Sequence, residues 1–558
     1  MMDLRLARWW RHLNYYDYDL SWWSTDGDGP RVPRAEYAGT VAQAPLQTIR
    51  QRALLAEFPH LKVNFQWIDP TFLQALIPES QGPGNRNGKL EILGKQLQEG
   101  LIAEAAPRQR TQGLTLYHSA FTVPKKKPGE LRFILSCVIL NKMLQGVPIP
   151  PCQFPEYREI VSRILSQPGF SQFDFKSYFF QFELDESIRD IFRFRVGSRH
   201  LRMLRLPMGY KASPQLGQSV TEALTAAANR SYGERVNTVV WLDNIIFAGP
   251  ESLISEVGLR FSALCSHFGV SIGDTCPAAA RGEALGLQFD CSQKRWRMDP
   301  SWVSKINEAR KTIPLEQNLP LKVWWRLGGI ILWRCHALQE PLFCLEILLR
   351  WMSEVCRGAE PEDMKKLSFW NRAISPSADV RQFIARQLDV LGANSWKQWA
   401  PPPTRVVEAH TDASLTAWAC EGLHSRERTC WGHFPVSLRQ DTIDVKEMFA
   451  LVEFIIQECD RAEEPVLLKI GVDNTAAIGA WKKAFSYNAT TLSLIMMAHR
   501  AMAQKGVVVS VYYVPTDLNK ADQYTRIKIP HPLYLPLSRI EQLRYSPIKS
   551  TPGAEGRL

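Results

Sequence analysis

The sequence predicts a multidomain protein with an α+β part followed by an α/β part. The chain has 558 residues, more than a single hydrophobic core usually accommodates. A proline-rich segment, APPPT at 400–404, is typical of a linker between domains. After this linker, predicted strands and helices alternate to about residue 530, as they do in α/β domains.

These signals divide the chain into five predicted regions. They are an N-terminal extension (1–60), a mixed α+β region (61–300), a helical region (301–400), an α/β domain (401–530) and a C-terminal tail (531–558). The 301–400 region contains LKVWWRLGGIILWRCHALQ, which predicts two helices separated by a Gly-Gly break, with the tryptophans in the helix core.

Composition narrows the classes of partner and compartment. The formal net charge of +11 favours a polyanionic partner, because Lys and Arg replace the counterions that surround phosphates. Eleven cysteines without a C-x-x-C pair indicate neither a zinc site nor a disulfide framework, so we expect a reducing, intracellular location, cytoplasmic or nuclear. No apolar run approaches the ~20 residues of a membrane span, so no membrane partner is expected.

The elements before residue 300 follow from hydrophobic periodicity. An amphipathic helix is predicted at 88–105, then strand, basic turn and strand in SAFTVPKKKPGELRFILSCVILNKML. REIVSRILSQ predicts a helix, and FSQFDFKSYFFQFELD predicts a strand that carries Asp174. TVVWLDNIIFAG predicts a β-hairpin with Asp243 at its tip, since Asp and Asn tolerate turn geometry.

Two acids held on separate strands suit a particular chemistry. Phosphoryl transfer to a 3′-hydroxyl uses two divalent ions ~4 Å apart, and Mg²⁺ needs only a few carboxylates beside the substrate phosphates. Asp174 and Asp243 could supply those carboxylates. Taken singly, a strand Asp and a turn Asp-Asn are everyday structural features.

The order of these segments between about residues 88 and 300 resembles the reverse transcriptases of retroelements. The resemblance implies a right hand of fingers, palm and thumb, with Asp174 and Asp243 as metal-binding catalytic acids. It implies substrate binding by Arg132, Lys125, Lys126, Lys127 and Phe179, by Asn244, and by Gly209, Ser213 and Gln218 of LRLPMGYKASPQLGQS. Arg132 would grip the incoming triphosphate, and Phe179 would discriminate against a 2′-hydroxyl.

Four positions depart from that family pattern. The second hairpin acid is Asn244, the fingers Asp and Arg are replaced by Ser136 and Val138, and the small residue beneath the incoming sugar is Tyr178. Asn244 still offers a neutral oxygen, so we expect an active polymerase with a variant site. Two alternatives remain open: a polymerase-inactive scaffold that binds RNA or hybrid in a larger complex, and an inactive polymerase that holds hybrid for an active nuclease.

The α/β domain carries four acids at strand ends or helix starts, namely Asp412, Glu447, Asp473 and Asp522. Glu447 lies in a helix that DVKEMFALVEFIIQ predicts to be amphipathic. The order of these elements resembles ribonuclease H, and VPTDLNKADQYTR resembles the last motif of its retroelement form. The alternative is a fold of this kind whose acids are solvated and idle.

Together, the two resemblances imply a reverse transcriptase with ribonuclease H activity. Each active site would use two Mg²⁺ or Mn²⁺ ions, and the partners would be an RNA template, a DNA primer, their hybrid and dNTPs. The arrangement looks most like the DIRS and VIPER group of tyrosine-recombinase retrotransposons.

Overall fold

The computed structural model describes residues 48–76, 100–106, 116–124, 131–150, 152–312, 315–360 and 363–526. The chain forms two compact units. The first comprises Met1–Pro314 and Leu388–Trp399, and the second comprises Leu315–Gln387 and Ala400–Leu558. In the described residues, no helix is both long and apolar enough to cross a bilayer.

The described strands and helices make the protein a mixed α/β structure with several sheets. The strands are β1 (Ile102–Glu104), β2 (Tyr117–Pro124), β3 (Leu131–Ser136), β4 (Phe170–Phe175), β5 (Arg193–Val196), β6 (Arg199–Met203), β7 (Asn237–Trp241), β8 (Asn244–Ala248), β9 (Ile272–Ala279), β10 (Arg281–Ala284), β11 (Leu287–Asp290), β12 (Arg295–Met298), β13 (Leu319–Pro320), β14 (Ala373–Ile374), β15 (Lys397–Gln398), β16 (Val406–Ala413), β17 (Ala417–Gly422), β18 (Cys430–His433), β19 (Leu467–Val472) and β20 (Val508–Tyr513). The helices are α1 (Gln51–Glu57), α2 (Lys62–Phe65), α3 (Pro70–Leu76), α4 (Val138–Met143), α5 (Tyr157–Leu165), α6 (Ser213–Asn229), α7 (Glu251–Phe268), α8 (Pro300–Thr312), α9 (Leu321–Ala337), α10 (Glu346–Cys356), α11 (Leu367–Asn371), α12 (Ala378–Ala393), α13 (Ile443–Arg461), α14 (Thr475–Lys483), α15 (Ala489–Lys505) and α16 (Asp522–Thr525).

A four-stranded antiparallel sheet in the order β7-β8-β4-β9 lies in the first unit. Side chains alternate between the two faces of a strand. Phe173 and Phe175 of β4 therefore share one face, where both pack against Phe261 of α7. Asp174 lies between them and faces the opposite way, so the core packing of β4 fixes the direction of its carboxylate.

A five-stranded sheet in the order β1-β6-β5-β2-β3 also lies in the first unit. β2 and β3 pair antiparallel, which confirms the predicted strand–turn–strand, although the turn itself lies outside the described residues. The helix predicted at 88–105 is wrong at its end, because Ile102–Glu104 pairs with β6. Ile102 is buried there, so tertiary pairing overrides the local helical pattern. Residues 77–99 lie outside the description.

Two further predicted elements differ in extent. The strand around Asp174 ends at Phe175, because Ser177 adopts φ 50° and Tyr178–Gln181 forms a 3₁₀ turn. The predicted Gly-Gly break is wrong, since α9 continues from Leu321 to Ala337. A Cβ at Gly328 would lie 3.1 Å from the Met352 sulfur, so this glycine allows close packing against α10. Trp324 of α9 is fully buried, as expected.

The second unit contains a five-stranded sheet in the order β18-β17-β16-β19-β20. β16 pairs parallel with β19, β19 pairs parallel with β20, and the other neighbours are antiparallel. The predicted strand–helix alternation is confirmed. The helix containing Glu447 was predicted to be amphipathic, but α13 is buried nearly all round, from Val445 to Cys459.

Candidate active sites

A tight β-hairpin presents Asp243. Trp241 of β7 pairs with Asn244 of β8, so Leu242 and Asp243 form a two-residue turn. The predicted hairpin with Asp243 at its tip is confirmed, but Asn244 belongs to the strand. Leu242 has φ 56°, at a turn position where glycine is usual, and Asp243 is not among the residues with positive φ. A leucine in this conformation is strained, so its neighbours must hold the turn in place.

Gln218 of α6 is the residue that holds this turn. Its Oε1 accepts from the Leu242 backbone N–H at 2.8 Å, and its Nε2 donates to the Val240 carbonyl at 3.2 Å and to Glu222 at 2.9 Å. Gln218 is 3% exposed, so any effect on substrate binding would be indirect. The structure therefore assigns it a positioning role that the sequence pattern alone did not reveal.

Replacing Gln218 with leucine is expected to loosen the hairpin. The Leu242 N–H would lose its partner, and the loss of such a hydrogen bond costs about 0.5–1.5 kcal/mol. Hydrogen–deuterium exchange of the β7–β8 segment should accelerate accordingly, since local opening reports local stability. Gln215→Leu, on the same helix but without a side-chain bond to the hairpin, is the control. Unchanged exchange in Gln218→Leu would contradict this role.

Asp174 and Asp243 lie side by side at the end of β4. The Phe175 N–H donates to the Asp243 carbonyl at 3.0 Å, and Asp174 pairs in register with Asn244. Burial and the Asp243 charge raise the pKa of Asp174 to about 7. Burial also raises the pKa of Asp243. Asp174 Oδ1 is buried and accepts no hydrogen bond from a described residue. Two crowded carboxylates with an unpaired oxygen fit a divalent cation.

Asn244 is engaged within the sheet. Its Oδ1 accepts from Gln172 Nε2 at 3.1 Å, and its Nδ2 lies 3.5 Å from Asp243 Oδ1. The neutral oxygen that the sequence led us to expect at the site is thus directed to Gln172. In this arrangement the Asn244 amide bridges Gln172 and Asp243.

Tyr178, the largest departure from the family pattern, is accommodated inside the fold. It is 2% exposed, its hydroxyl donates to the Gly217 carbonyl at 2.7 Å, and Thr221 donates to it at 2.8 Å. A Cβ at Gly217 would lie 3.0 Å from the Tyr178 ring and 3.1 Å from Phe179. Gly217 therefore makes room for both rings, and Phe179 remains half-buried beside it.

The remaining predicted substrate-binding residues are Gly209, Ser213, Arg132 and three lysines. Gly209 has φ 99° and a Cβ there would lie 2.2 Å from the Leu135 carbonyl, so only glycine fits. Ser213 is buried and donates to the Pro207 carbonyl at 2.9 Å. Arg132 lies on β3, and its charge partly opposes the burial that raises the pKa of both Asp174 and Asp243. Lys125, Lys126 and Lys127 lie outside the described residues.

A second acidic site lies in the other unit. Oxygens of Asp412 on β16, Glu447 on α13 and Asp473 after β19 all lie within 4.8 Å of one another. In the ranges described above, no other group of three His, Cys, Asp or Glu side chains meets this condition. Asp522, the first residue of α16, is outside the triad, although its charge raises the pKa of Asp412 and Glu447.

Hydrogen bonds hold this triad in place. Thr525 donates to Asp412 at 2.6 Å, Thr516 donates to Asp473 at 2.9 Å, and the Ala413 N–H donates to Glu447 Oε1 at 3.2 Å. Asn519 Nδ2 ties the same loop to the Thr411 carbonyl at 3.0 Å. These hydrogen-bond partners were not predicted from the sequence. The last predicted motif, VPTDLNKADQYTR, contains Thr516, Asn519 and Thr525. Its polar residues were the sequence feature from which these hydrogen bonds could have been predicted.

The charge balance of the triad fits a cation. Glu447 is 3% exposed, and its Oε2 accepts no hydrogen bond from the described residues. Burial, together with the Asp412 and Asp473 charges, raises the pKa of Glu447 to about 9. Burial is also the main cause that raises the pKa of Asp412 to about 6. A divalent ion would relieve this repulsion and satisfy the unpaired oxygen.

The raised Glu447 pKa predicts a pH-dependent response to metal. In metal-free protein the folded carboxyl keeps its proton up to a pKa of about 9, against an ordinary 4.5. The unfolded state therefore binds fewer protons in this window, and the Glu447 contribution to stability falls as pH rises through it. We expect the Mn²⁺-induced rise in Tm to be larger at pH 8 than at pH 6. Glu447→Gln should flatten this difference; an undiminished difference in that variant would contradict the assignment.

Comparison with known proteins identifies a domain in the first unit. Residues 123–261 match the profile of the family described as reverse transcriptase (RNA-dependent DNA polymerase). This range contains Arg132, Asp174, Gln218 and Asp243. The chain therefore carries a reverse transcriptase domain.

Curated relatives match part of the chain at low identity. An enzymatic polyprotein of Figwort mosaic virus (strain DxS) is 23% identical over 186 residues, which cover 33% of this chain and 26% of the relative. A putative enzymatic polyprotein of Cassava vein mosaic virus is 26% identical over 206 residues, covering 36% and 30%. Polyprotein P3 of Commelina yellow mottle virus is 20% identical over 349 residues, covering 60% and 16%. The aligned region thus spans under a third of each of these relatives.

Solved structures of the foamy viral protease–reverse transcriptase are also similar. The one in complex with double-stranded DNA has a TM-score of 0.47 at 13% identity and covers 86% of this chain and 84% of that chain. The one in complex with an RNA/DNA hybrid has a TM-score of 0.45 at 13% identity and covers 82% and 58%.

Proposed function

We propose that this protein is an RNA-directed DNA polymerase with an associated ribonuclease H activity. The observation that carries the polymerase part is the pairing of Asp174 with the Asp243 hairpin inside the segment that matches the reverse transcriptase family. The nuclease part is supported by the Asp412–Glu447–Asp473 triad, with Asp522 nearby. The substrates would be an RNA template, a DNA primer, their hybrid and dNTPs.

In the polymerase site, Asp174 and Asp243 would hold Mg²⁺ or Mn²⁺. When bound, such ions lower the barrier by stabilising the attacking and leaving oxygens of an in-line displacement. Arg132 interacts electrostatically with both acids, and its positive charge would neutralise the triphosphate of the incoming nucleotide. Phe179, half-buried against α6, would present its ring to the sugar, while Gln218 keeps Asp243 in place through the turn.

In the nuclease site, Asp412, Glu447 and Asp473 would hold the same ions. Two-metal sites activate a water and stabilise the leaving oxygen, and this is the chemistry that bound ions would supply here. Thr525 and Thr516 fix the directions of Asp412 and Asp473, so little reorganisation is needed on binding. Asp522 would assist from the edge of the triad; its carboxylate accepts from Arg526 at 2.9 Å.

The nucleic-acid partner follows from charge and chemistry. A net charge of +11 favours a phosphate backbone as partner. Recognition would depend on backbone and A-like hybrid geometry, with little base specificity. We place the protein in a reducing intracellular compartment, cytoplasmic or nuclear, and its closest group among retroelements would be DIRS and VIPER.

A second candidate is a polymerase-inactive protein that holds hybrid for the nuclease. The observation that favours it is that Asn244, in the place of the second hairpin acid, carries no charge and its side-chain oxygen is bound to Gln172. This candidate predicts cleavage of hybrid RNA without any DNA synthesis.

One assay tests these proposals together. The full chain is incubated with a labelled DNA primer on a labelled RNA template, dNTPs and Mg²⁺ or Mn²⁺. We expect primer extension and shortening of the RNA strand in the hybrid. RNA shortening without extension supports the second candidate, and absence of both refutes the proposed function.

A further inference from the structure

Two free cysteines lie directly opposite each other in the sheet of the second unit. Cys420 of β17 pairs with Cys430 of β18, in the register that also places Ala419 opposite Trp431. Directly opposed residues of antiparallel strands have Cα atoms about 4.5–5.5 Å apart and side chains on the same face. A disulfide needs Cα atoms about 4.4–6.8 Å apart, so this register supplies the required spacing. The pair is not a C-x-x-C motif, and only the strand pairing reveals it.

The two thiols are directed into the same space, between the sheet and α13. Cys420 Sγ donates to the Ala450 carbonyl at 3.5 Å. Cys430 Sγ donates to Gln457 Oε1 at 3.2 Å. Ala450 and Gln457 both belong to α13, so the helix holds both sulfurs on its side of the sheet. The two cysteines also share a hydrogen bond, which shows that their side chains meet.

The two cysteines differ in accessibility and in acidity. Cys420 is fully buried, and this burial raises its pKa, whereas Cys430 is half-buried. The hydrogen bond from Cys420 lowers the pKa of Cys430, and the Arg461 charge acts in the same direction. The thiolate is the nucleophile in thiol–disulfide exchange. Cys430 is therefore the thiol that a dissolved oxidant would meet first, with Cys420 behind it.

Packing at the start of β18 keeps the pair together. β18 is at the edge of its sheet and pairs with β17. Arg428, just before β18, donates to Glu458 of α13 at 3.0 Å, and Glu458 is buried. A Cβ at Gly422 would lie 2.6 Å from the Arg428 Cβ, so this glycine lets the connection between the two strands pack closely. These contacts place Cys430 beside Cys420 before any covalent bond is made.

We propose that Cys420 and Cys430 are a redox site that forms a reversible disulfide and thereby fixes the edge strand β18 to β17. The oxidant would be a small disulfide, such as oxidised glutathione. The Cys430 thiolate attacks one sulfur of the oxidant, which forms a mixed disulfide and releases one glutathione thiolate. Cys420 then loses its proton and attacks the Cys430 sulfur, which forms the protein disulfide and releases the second glutathione thiolate. Two protein thiols are oxidised, one glutathione disulfide is reduced, and the released thiolates take up the two protons.

Peptide mapping of the native full chain tests this proposal. The protein is incubated with oxidised glutathione, the remaining thiols are blocked with N-ethylmaleimide, and the chain is digested with trypsin. Cleavage after arginine gives the peptides 406–426 and 429–439, each of which contains one cysteine. We expect these peptides to be recovered mainly as one linked product, and separately after reduction with dithiothreitol. Cys430→Ser should abolish the linked product.

An exposed cysteine in the other unit is the control for the oxidant. Cys276 of β9 is exposed, so oxidised glutathione should add to it, and Cys276→Ser should leave the linked product unchanged. If Cys276 is modified while the peptides 406–426 and 429–439 stay unlinked, the proposal is wrong.

Hydrogen–deuterium exchange tests whether the disulfide fixes the edge strand. The cross-link opposes local opening, so exchange of the β18 amides should slow about threefold or more on oxidation. Cys430→Ser should show no such response to the oxidant. Equal β18 exchange in the linked and the reduced protein would contradict the proposed fixing of this strand.

Discussion

Replacing Asp473 with asparagine is expected to abolish cleavage of the RNA strand in a hybrid, while primer extension continues. Asp473 supplies one of three carboxylates whose oxygens lie within 4.8 Å of one another. An amide of the same shape keeps the Thr516 hydrogen bond acceptor but removes a charge that a divalent ion requires. Loss of several kcal/mol of transition-state stabilisation corresponds to a rate decrease of about a thousandfold or more.

This result is read on one labelled hybrid. The RNA fragments and the extended primer are quantified in the same reaction, so a folding defect would lower both signals and be recognised. Glu463→Gln removes an exposed charge from the same unit and should cleave as the wild type does. Undiminished RNA cleavage by Asp473→Asn would refute the assignment of the triad.

The second large effect is expected at the hairpin. Asp243→Asn should reduce primer extension about a thousandfold or more, because the turn would then present two neutral amides next to Asp174. The substitution is nearly isosteric, and the Gln218 bonds that hold the turn involve the backbone of Leu242 and Val240. The hairpin should therefore keep its geometry while the chemistry is lost.

Cleavage of hybrid RNA is the internal control for this variant. It should proceed at the wild-type rate, since Asp412, Glu447 and Asp473 belong to the other unit. Glu234→Gln, an exposed position just before β7, should retain primer extension. If Asp243→Asn and the wild type extend a primer equally, the polymerase assignment is untenable.

The parts of the structure that the sequence predicted are those set by local pattern and element order. The hairpin with Asp243 at its tip was predicted from two apolar runs around Asp243 and Asn244, and it is confirmed, although the turn itself is Leu242–Asp243. The sequence also placed Asp412, Glu447, Asp473 and Asp522 at strand ends or helix starts; the structure brings the first three within 4.8 Å of one another and leaves Asp522 outside this group.

The parts that the sequence did not predict depend on contacts between distant segments. Gln172 and Asn244 meet only because β4 and β8 pair in one register. The sequence showed Tyr178 only as a departure from the family pattern, because Gly217, which makes room for its ring, is on a different element. The helix predicted at 88–105 is wrong at Ile102–Glu104 because these residues form a strand that pairs with β6, a distant segment.

A crystal of the protein soaked with Mn²⁺ and a primer–template gives the most direct measurement of whether its carboxylates coordinate divalent ions. Anomalous scattering identifies manganese independently of any assumption about mechanism. We predict peaks about 2.0–2.6 Å from carboxylate oxygens of Asp412, Glu447 and Asp473, and of Asp174 and Asp243. Saturating Mn²⁺ with no peak at either set of acids would contradict this account.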